Sequence, residues 1–211
     1  MQPKNPPFES IDAAIVGGGI AGAWALNLLC ARGYNAILLE ADSLGCAQTL
    51  ASQGMIHGGL KYALAGNVTG ASEAIADMPR RWRACLRNED DVNLHGTHQL
   101  CEHYYMFAER TALGRLTTFF ASKALRGRID KLERPEWPAE FAGFNGVVYA
   151  LNDFVLDTRD LLNTLCRGLE HRILRFKADA ERVQGLPGGG YSIRLDDMTV
   201  HAKQLISCAG N

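Results

Sequence analysis

Gly17-x-Gly19-x-x-Gly22 follows one short apolar run and opens a longer one, and Glu40 closes the apolar run after that. These four residues are the ones whose types and spacing could do chemistry together. In such a pattern the first glycine permits a tight turn, the second lets the backbone approach a pyrophosphate, and the third allows a helix to pack close on a strand. The start of that helix offers backbone N–H groups to the anion. A carboxylate at position 40 can accept from both hydroxyls of an adenosine ribose and repels a 2′-phosphate, so the pattern reads as a dinucleotide site that disfavours NADP. Residues 45–62, GCAQTLASQGMIHGGLKY, add a second stretch of small and polar residues for which a nicotinamide site gives no reason.

The elements that must position these residues follow from hydrophobic pattern and punctuation. Residues 12–16 read as a strand, 17–19 as a turn, 20–32 as a helix ended by Gly33, and 35–40 as a second strand. Uninterrupted apolar strands around a helix are the βαβ start of a buried parallel sheet. A membrane span over 13–31 is rejected, because consecutive glycines from Gly17 to Gly19 interrupt it and Asp12 stands at its front edge. Further on, a helix over 71–87 carries Arg80, Arg81 and Arg83, and 97–108 reads as extended. Arg80, Arg81 and Arg83 suit either a solvated helix face or an anionic substrate. A helix over 111–126 puts Leu113, Leu116, Phe119 and Phe120 on one side and could rest on an anionic membrane, the alternative being ordinary packing in a cap domain. Pro135 and Pro138 mark a loop, 146–150 a strand, and Asp157 or Thr158 caps a helix with Leu161, Leu162, Leu165 and Leu169 on one face. Strands over 180–184, 191–195, 199–202 and 205–208 form an antiparallel meander that returns to one more apolar strand.

Composition bounds the function. With 22 Lys and Arg against 23 Asp and Glu in 211 residues, of which 47% are hydrophobic, the chain is an ordinary globular one. Duplex nucleic acid is excluded as a bulk electrostatic partner. The six cysteines contain no CxxC pair and read as reduced thiols of a cytoplasmic chain. His95, His98 and His103 lie close in sequence without a metal-ligand spacing, so no metal is expected. Cys46 reads as a small packed residue rather than a redox-sensitive one.

The stretch 45–62 is similar to the FAD-dependent oxidoreductase superfamily that contains D-amino-acid oxidases, sarcosine and dimethylglycine dehydrogenases and glycerol-3-phosphate dehydrogenases. In that superfamily a Ser-rich segment after the acidic residue wraps the pyrophosphate, and a segment resembling Met55-Ile56-His57-Gly58-Gly59-Leu60 runs along the isoalloxazine ring. The closing 206–211, ISCAGN, resembles the family's strand ending in Ala-Gly beside the phosphates. The resemblance implies an α/β fold: a Rossmann-like FAD-binding domain, a parallel sheet with an antiparallel meander, plus a partial α+β substrate domain. It places a leader over 1–8, the discontinuous FAD-binding domain over 9–85 and 146–211, and the substrate or cap domain over 86–145. The cofactor residues it implies are Gly17, Gly19, Gly22, Glu40, Ala41, Ser52, Gln53, Gly54, Met55, Ile56, His57, Gly59, Ala180, Ala209 and Gly210, with Ala180 touching adenine through its main chain. Glycines along 54–59 let N–H groups reach the flavin N5 and O4 edge. His57, Lys61 and Tyr62 are the nearest candidates for catalytic groups at the flavin face.

The activity implied is hydride transfer from a C–H next to an amine or hydroxyl of a small substrate to flavin N5, with electrons leaving to oxygen, a quinone or another acceptor. His57 is expected beside the flavin without a covalent link, although some relatives bind the flavin covalently through a histidine similarly placed. Two departures from the family pattern stand out. Leu26 occupies a position where Gly or Ala is usual, so either the helix packing adjusts or Ala25 takes that role, and the chain stops at Asn211 where relatives continue. A truncated gene product or fragment is therefore expected, cytoplasmic or at the inner face of a membrane. The alternatives are an NAD-dependent dehydrogenase and a non-catalytic dinucleotide-binding module.

Overall fold

An apolar strand with no polar alternation needs cover on both faces. Residues 10–16 and 36–40 receive it in the computed structural model, which describes residues 10–59, 75–109, 129–177, 179 and 181–210. In chain order the elements are β1 (Ser10–Val16), α1 (Ile20–Ala31), β2 (Ala36–Glu40), α2 (Gln48–Ala51), β3 (Met55–Ile56), α3 (Met78–Leu86), β4 (Gln99–Cys101), β5 (Tyr104–Glu109) and β6 (Ile129–Leu132). They continue with β7 (Gly146–Leu151), β8 (Phe154–Leu156), α4 (Thr158–Cys166), β9 (Ile173–Arg175), β10 (Val183–Gly185), β11 (Tyr191–Arg194) and β12 (Thr199–Ser207).

The chain divides into two compact units. The first comprises Met1–Gln53, Cys85–Thr97 and Thr158–Asn211 and is built on a six-stranded sheet of order β10-β11-β12-β1-β2-β9. Strands β12, β1, β2 and β9 run parallel, and β10 and β11 add an antiparallel meander outside β12. The period of two splits β2 between the two faces: Ile37 and Leu39 enter a cluster with Phe176, Ile193 and Val200, while Ala36 and Leu38 enter another with Ala13, Ile15 and Leu26. Leu26 is fully buried. The small Ala13 and Ala36 in the same cluster leave room for it, which answers the departure from Gly or Ala at that position. Asn27 Nδ2 donates to the Leu165 carbonyl at 2.8 Å, tying α1 to α4.

One expectation is corrected. The two strands expected at 199–202 and 205–208 are a single strand, β12, because Lys203 and Gln204 bring no turn residue between them. Its first half pairs antiparallel with β11, Thr199 opposite Arg194, and its main length pairs parallel with β1, from Ser10 opposite His201 to Val16 opposite Ser207.

The second unit comprises Gly54–Ala84 and His98–Asp157 and holds two antiparallel three-stranded sheets, β3-β8-β4 and β5-β7-β6. Backbone ladders decide this grouping. β3 pairs with β8, and β7 pairs with both β5 and β6, so 54–84 and 146–157 group with this unit although the sequence reading places them in the dinucleotide domain. The extended stretch 97–108 likewise divides, β4 joining one sheet and β5 the other. Phe107 on β5 meets Phe141 at 5.2 Å and Phe144 at 5.4 Å between ring centroids. The leader 1–8 and the helix expected over 111–126 lie outside the described residues. Among the described residues no helix is long and apolar enough to cross a membrane.

Candidate dinucleotide-binding site

In an open parallel sheet the ligand crevice lies beyond the carboxyl ends of the strands. There, in the first unit, a cleft of about 430 Å³ is lined by Gly17, Gly18 and Gly19 after β1, Glu40 and Ala41 after β2, and Ala209 and Gly210 after β12. Gly17 turns the chain at φ +106, and a Cβ there would stand 2.6 Å from the Cys208 carbonyl oxygen. At Gly18 a Cβ would stand 2.7 Å from Glu40 Oε2. Gly22 lies under the turn, where a Cβ would fall 1.9 Å from the Gly17 carbonyl oxygen, so the close helix-to-strand approach expected of it is real. At Gly19, by contrast, a Cβ would meet only Thr49 Oγ1, at 3.2 Å.

The polar groups fit a dinucleotide phosphate and ribose. Gly19 is the N-cap of α1 and brings no side chain, and no acidic residue stands in the first turn. Negative charge is therefore favoured at this helix end. Thr49 Oγ1, on the single turn of α2, accepts the Ile20 N–H at 3.0 Å. The Gly18 N–H donates to Glu40 Oε2, and the Asp42 N–H donates to Oε1 at 2.9 Å. A carboxylate has about four acceptor sites, so two held oxygens keep capacity for ribose hydroxyls. Burial raises the Cys208 thiol above its ordinary range, which keeps it neutral beside the cleft. Burial first, with Glu170 adding repulsion, pushes the Cys166 thiol up to about 11, so it is no nucleophile either.

Of the residues expected from sequence, the cleft brings together Gly17, Gly19, Glu40, Ala41, Ala209 and Gly210. Ser52 and Gln53 are exposed and do not line it; Ser52 Oγ donates back to the Thr49 carbonyl at 2.8 Å. Gly18, Thr49, Cys46 and Phe176 line the cleft without having been singled out as cofactor residues. A hydroxyl in the Ser/Thr-bearing stretch 49–52 was the available signal for Thr49. Phe176 had none, since its place depends on β9 lying beside β2.

The remaining residues belong to the second unit. Met55 and Ile56 form β3, His57 is exposed, and Gly58 and Gly59 are buried. Gly54 at φ 66 and Gly59 at φ 74 bracket the strand in the left-handed region that glycine permits. The Gly58 N–H donates to Asp153 Oδ1 at 2.9 Å, and the Gly59 N–H donates to His57 Nδ1 at 3.3 Å. The Gly58 and Gly59 amides are thus engaged within the chain. With Nδ1 accepting, the neutral His57 ring carries its proton on Nε2. Lys61, Tyr62 and Ala180 lie outside the described residues. Arg83 is no simple solvated cation: it donates to the Glu102 carbonyl at 2.7 Å, whereas Arg80 is exposed and pairs with Asp77 at 3.5 Å. Among the described residues the grouping of potential metal-ligand atoms is Cys85, Asp90 and Asp91, not the three histidines, and exposed acids cluster commonly without an ion.

Comparison with known proteins agrees with this geometry. The chain matches the model of the FAD dependent oxidoreductase family over residues 12–211. It is 42% identical over 209 residues to a probable FAD-dependent oxidoreductase of Pseudomonas aeruginosa, covering 97% of this chain and 52% of that protein. The crystal structure of an FAD-dependent oxidoreductase from that organism aligns with a TM-score of 0.71 at 34% identity, over 97% of this chain and 49% of the other. The aerobic glycerol-3-phosphate dehydrogenase of Escherichia coli is 41% identical over 70 residues, 33% of this chain and 14% of that one. Glycine oxidase from Geobacillus kaustophilus shares the fold, with a TM-score of 0.67 at 17% identity over 96% of this chain and 56% of the other. The chain belongs to the FAD dependent oxidoreductase family, and FAD is that family's cofactor. It spans about half the length of the Pseudomonas aeruginosa relative.

Proposed function

We propose that this chain carries the FAD-binding part of an oxidoreductase that takes hydride from a C–H next to a hydroxyl or amine of a small substrate. The observation that carries this reading is the cleft itself, in which bare glycine backbone, a helix N-terminus and a held carboxylate meet at one sheet end. Bound FAD supplies the two-electron acceptor, at flavin N5. The chain's own residues bind and orient. The turn 17–19 and the start of α1 receive the pyrophosphate, Glu40 accepts from the ribose hydroxyls, and Ala41, Ala209 and Gly210 flank the phosphates, with Gly22 packing beneath. The first unit acts as the dinucleotide-binding domain and the second as the substrate domain. Gly54, Met55, Ile56, His57 and Gly59 line the isoalloxazine ring, where His57 presents Nε2–H as a donor. Lys61 and Tyr62 remain the proposed catalytic groups beside His57, and Ala180 the proposed adenine contact.

Similarity to a glycerol-3-phosphate dehydrogenase supports the hydroxyl-bearing class of substrate over the amine class. Oxygen or a quinone then takes the electrons. The visible absorption spectrum of the purified chain, taken before and after acid precipitation, tests the cofactor half of the proposal. Flavin bands are expected, and they should move to the supernatant, in keeping with a non-covalent cofactor. Anaerobic addition of small hydroxy acids, glycerol 3-phosphate and amino acids should then bleach the bands for one class. A chain that stays colourless with added FAD overturns the proposal.

A further inference from the structure

We propose that Asp153 is a positioning residue that holds the 57–59 backbone in place for the isoalloxazine ring. This role rests on the reading that residues 55–59 line that ring. Strand β3 is two residues long, and its ladder with β8 ends at the pair Ile56 and Phe154. So short a ladder cannot by itself fix the residues that follow, and the chain turns away through Gly59 at φ 74. The next rung is supplied by a side chain. Asp153 stands just before β8, and its Oδ1 accepts the Gly58 N–H at 2.9 Å while its own carbonyl accepts the Tyr104 N–H at 3.0 Å.

Asp153 is only 9% exposed. A polar side chain that far from water costs free energy unless it is hydrogen-bonded. Helix α3 reaches the same turn. The Arg83 guanidinium donates to the carbonyls of Glu102 at 2.7 Å and Asn152 at 3.4 Å and lies 4.4 Å over the Phe154 ring, so it grips the residues on both sides of Asp153. The turn is held from α3, and the loop is held from the turn. Steric confinement does not do the same work, because a Cβ on Gly58 would meet its neighbours, Ala76 O, Pro79 Cγ and Asp153 Oδ1, no closer than 3.4 Å.

The test compares binding of FAD with binding of ADP, which shares the adenosine end but has no flavin, in the wild-type chain, Asp153→Ala and Asp153→Asn. Asp153→Ala is expected to weaken FAD about tenfold, as loss of one charge-assisted hydrogen bond would, and to shift the long-wavelength band of the bound flavin while leaving ADP affinity unchanged. Asp153→Asn keeps an oxygen that accepts the Gly58 N–H and should stay within about threefold of wild type. Unchanged FAD affinity and spectrum in Asp153→Ala overturns the role, as does an equal loss of FAD and ADP affinity, which marks a merely structural residue. Loss in Asp153→Asn as large as in Asp153→Ala also overturns it. If Asp153→Ala is insoluble, Asp153→Ser, too short to reach Gly58, takes its place with the same outcomes. A wild-type chain that binds FAD no more tightly than ADP overturns the underlying flavin-loop reading instead, and that failure shows before any variant is made.

Discussion

Gly17 and Gly22 are glycines for different reasons, and the difference predicts how each fails. Gly17 needs its positive φ, whereas Gly22 needs the absence of a side chain, since a Cβ there would fall 1.9 Å from the Gly17 carbonyl oxygen. Gly22→Ala must therefore push α1 off the turn that it supports. Overpacking of this kind costs about 1–3 kcal/mol. Urea denaturation should show a lowered midpoint, with FAD affinity falling alongside; an unchanged midpoint would mean that α1 does not rest on the turn. At this scale much of the site was legible in the sequence. Glycine spacing and the carboxylate at Glu40 are local signals, because each acts through its own backbone or charge. Thr49 and Phe176 were not, since a hydroxyl becomes a helix cap and a phenyl ring a cleft wall only when a distant element arrives beside them.

Between elements, β12 and β1 form the longest parallel ladder among the described residues, and an ion pair joins them between the Ile11–Ala202 and Ala13–Gln204 pairs. Lys203 Nζ lies 2.8 Å from Asp12 Oδ1, and the Asn35 N–H donates to Asp12 Oδ2 at 2.9 Å. The hydrogen bond from Lys203, then that from Asn35, lowers the Asp12 carboxyl below its ordinary 3.8, and the bond to Asp12 raises Lys203 above its ordinary 10.5. A lowered carboxyl stabilises the fold above its unfolded value and loses that contribution as pH falls through the folded one. A raised amine stabilises below its unfolded value and loses that contribution as pH rises through the folded one. Thermal melts of wild type and Asp12→Asn across pH should differ between these limits and converge below and above them. Salt should narrow the gap, because both groups are exposed. A difference that persists at pH well below 3.8 would show that the carboxylate's charge is not what β1 and β12 share.

For the molecule as a whole, a ligand that binds only the folded chain raises its stability. FAD at 100 times its Kd should add about 2.7 kcal/mol, read as an upward shift of the melting temperature. Gly19→Glu places a carboxylate and its bulk where the pyrophosphate is proposed to lie, and should abolish both flavin uptake and the shift. Stoichiometric flavin in that variant would sink the pyrophosphate-site assignment.

By itself the sequence determined the βαβ start, the glycine turn and Glu40 at a strand end, because strand burial, turn geometry and helix-end electrostatics are written in neighbouring residues, while the stretch 45–62 carried the resemblance to the FAD-dependent oxidoreductase family. Only the tertiary structure decided that 199–207 is one strand shared by two partners, that 54–59 pairs with β8 and so belongs to the second unit, and that the Gly58 amide is taken by Asp153. Those outcomes rest on contacts between residues far apart in the chain. Pairing partners across such separations leave no local pattern, since a strand edge or a carboxylate satisfies many partners equally until the fold presents one.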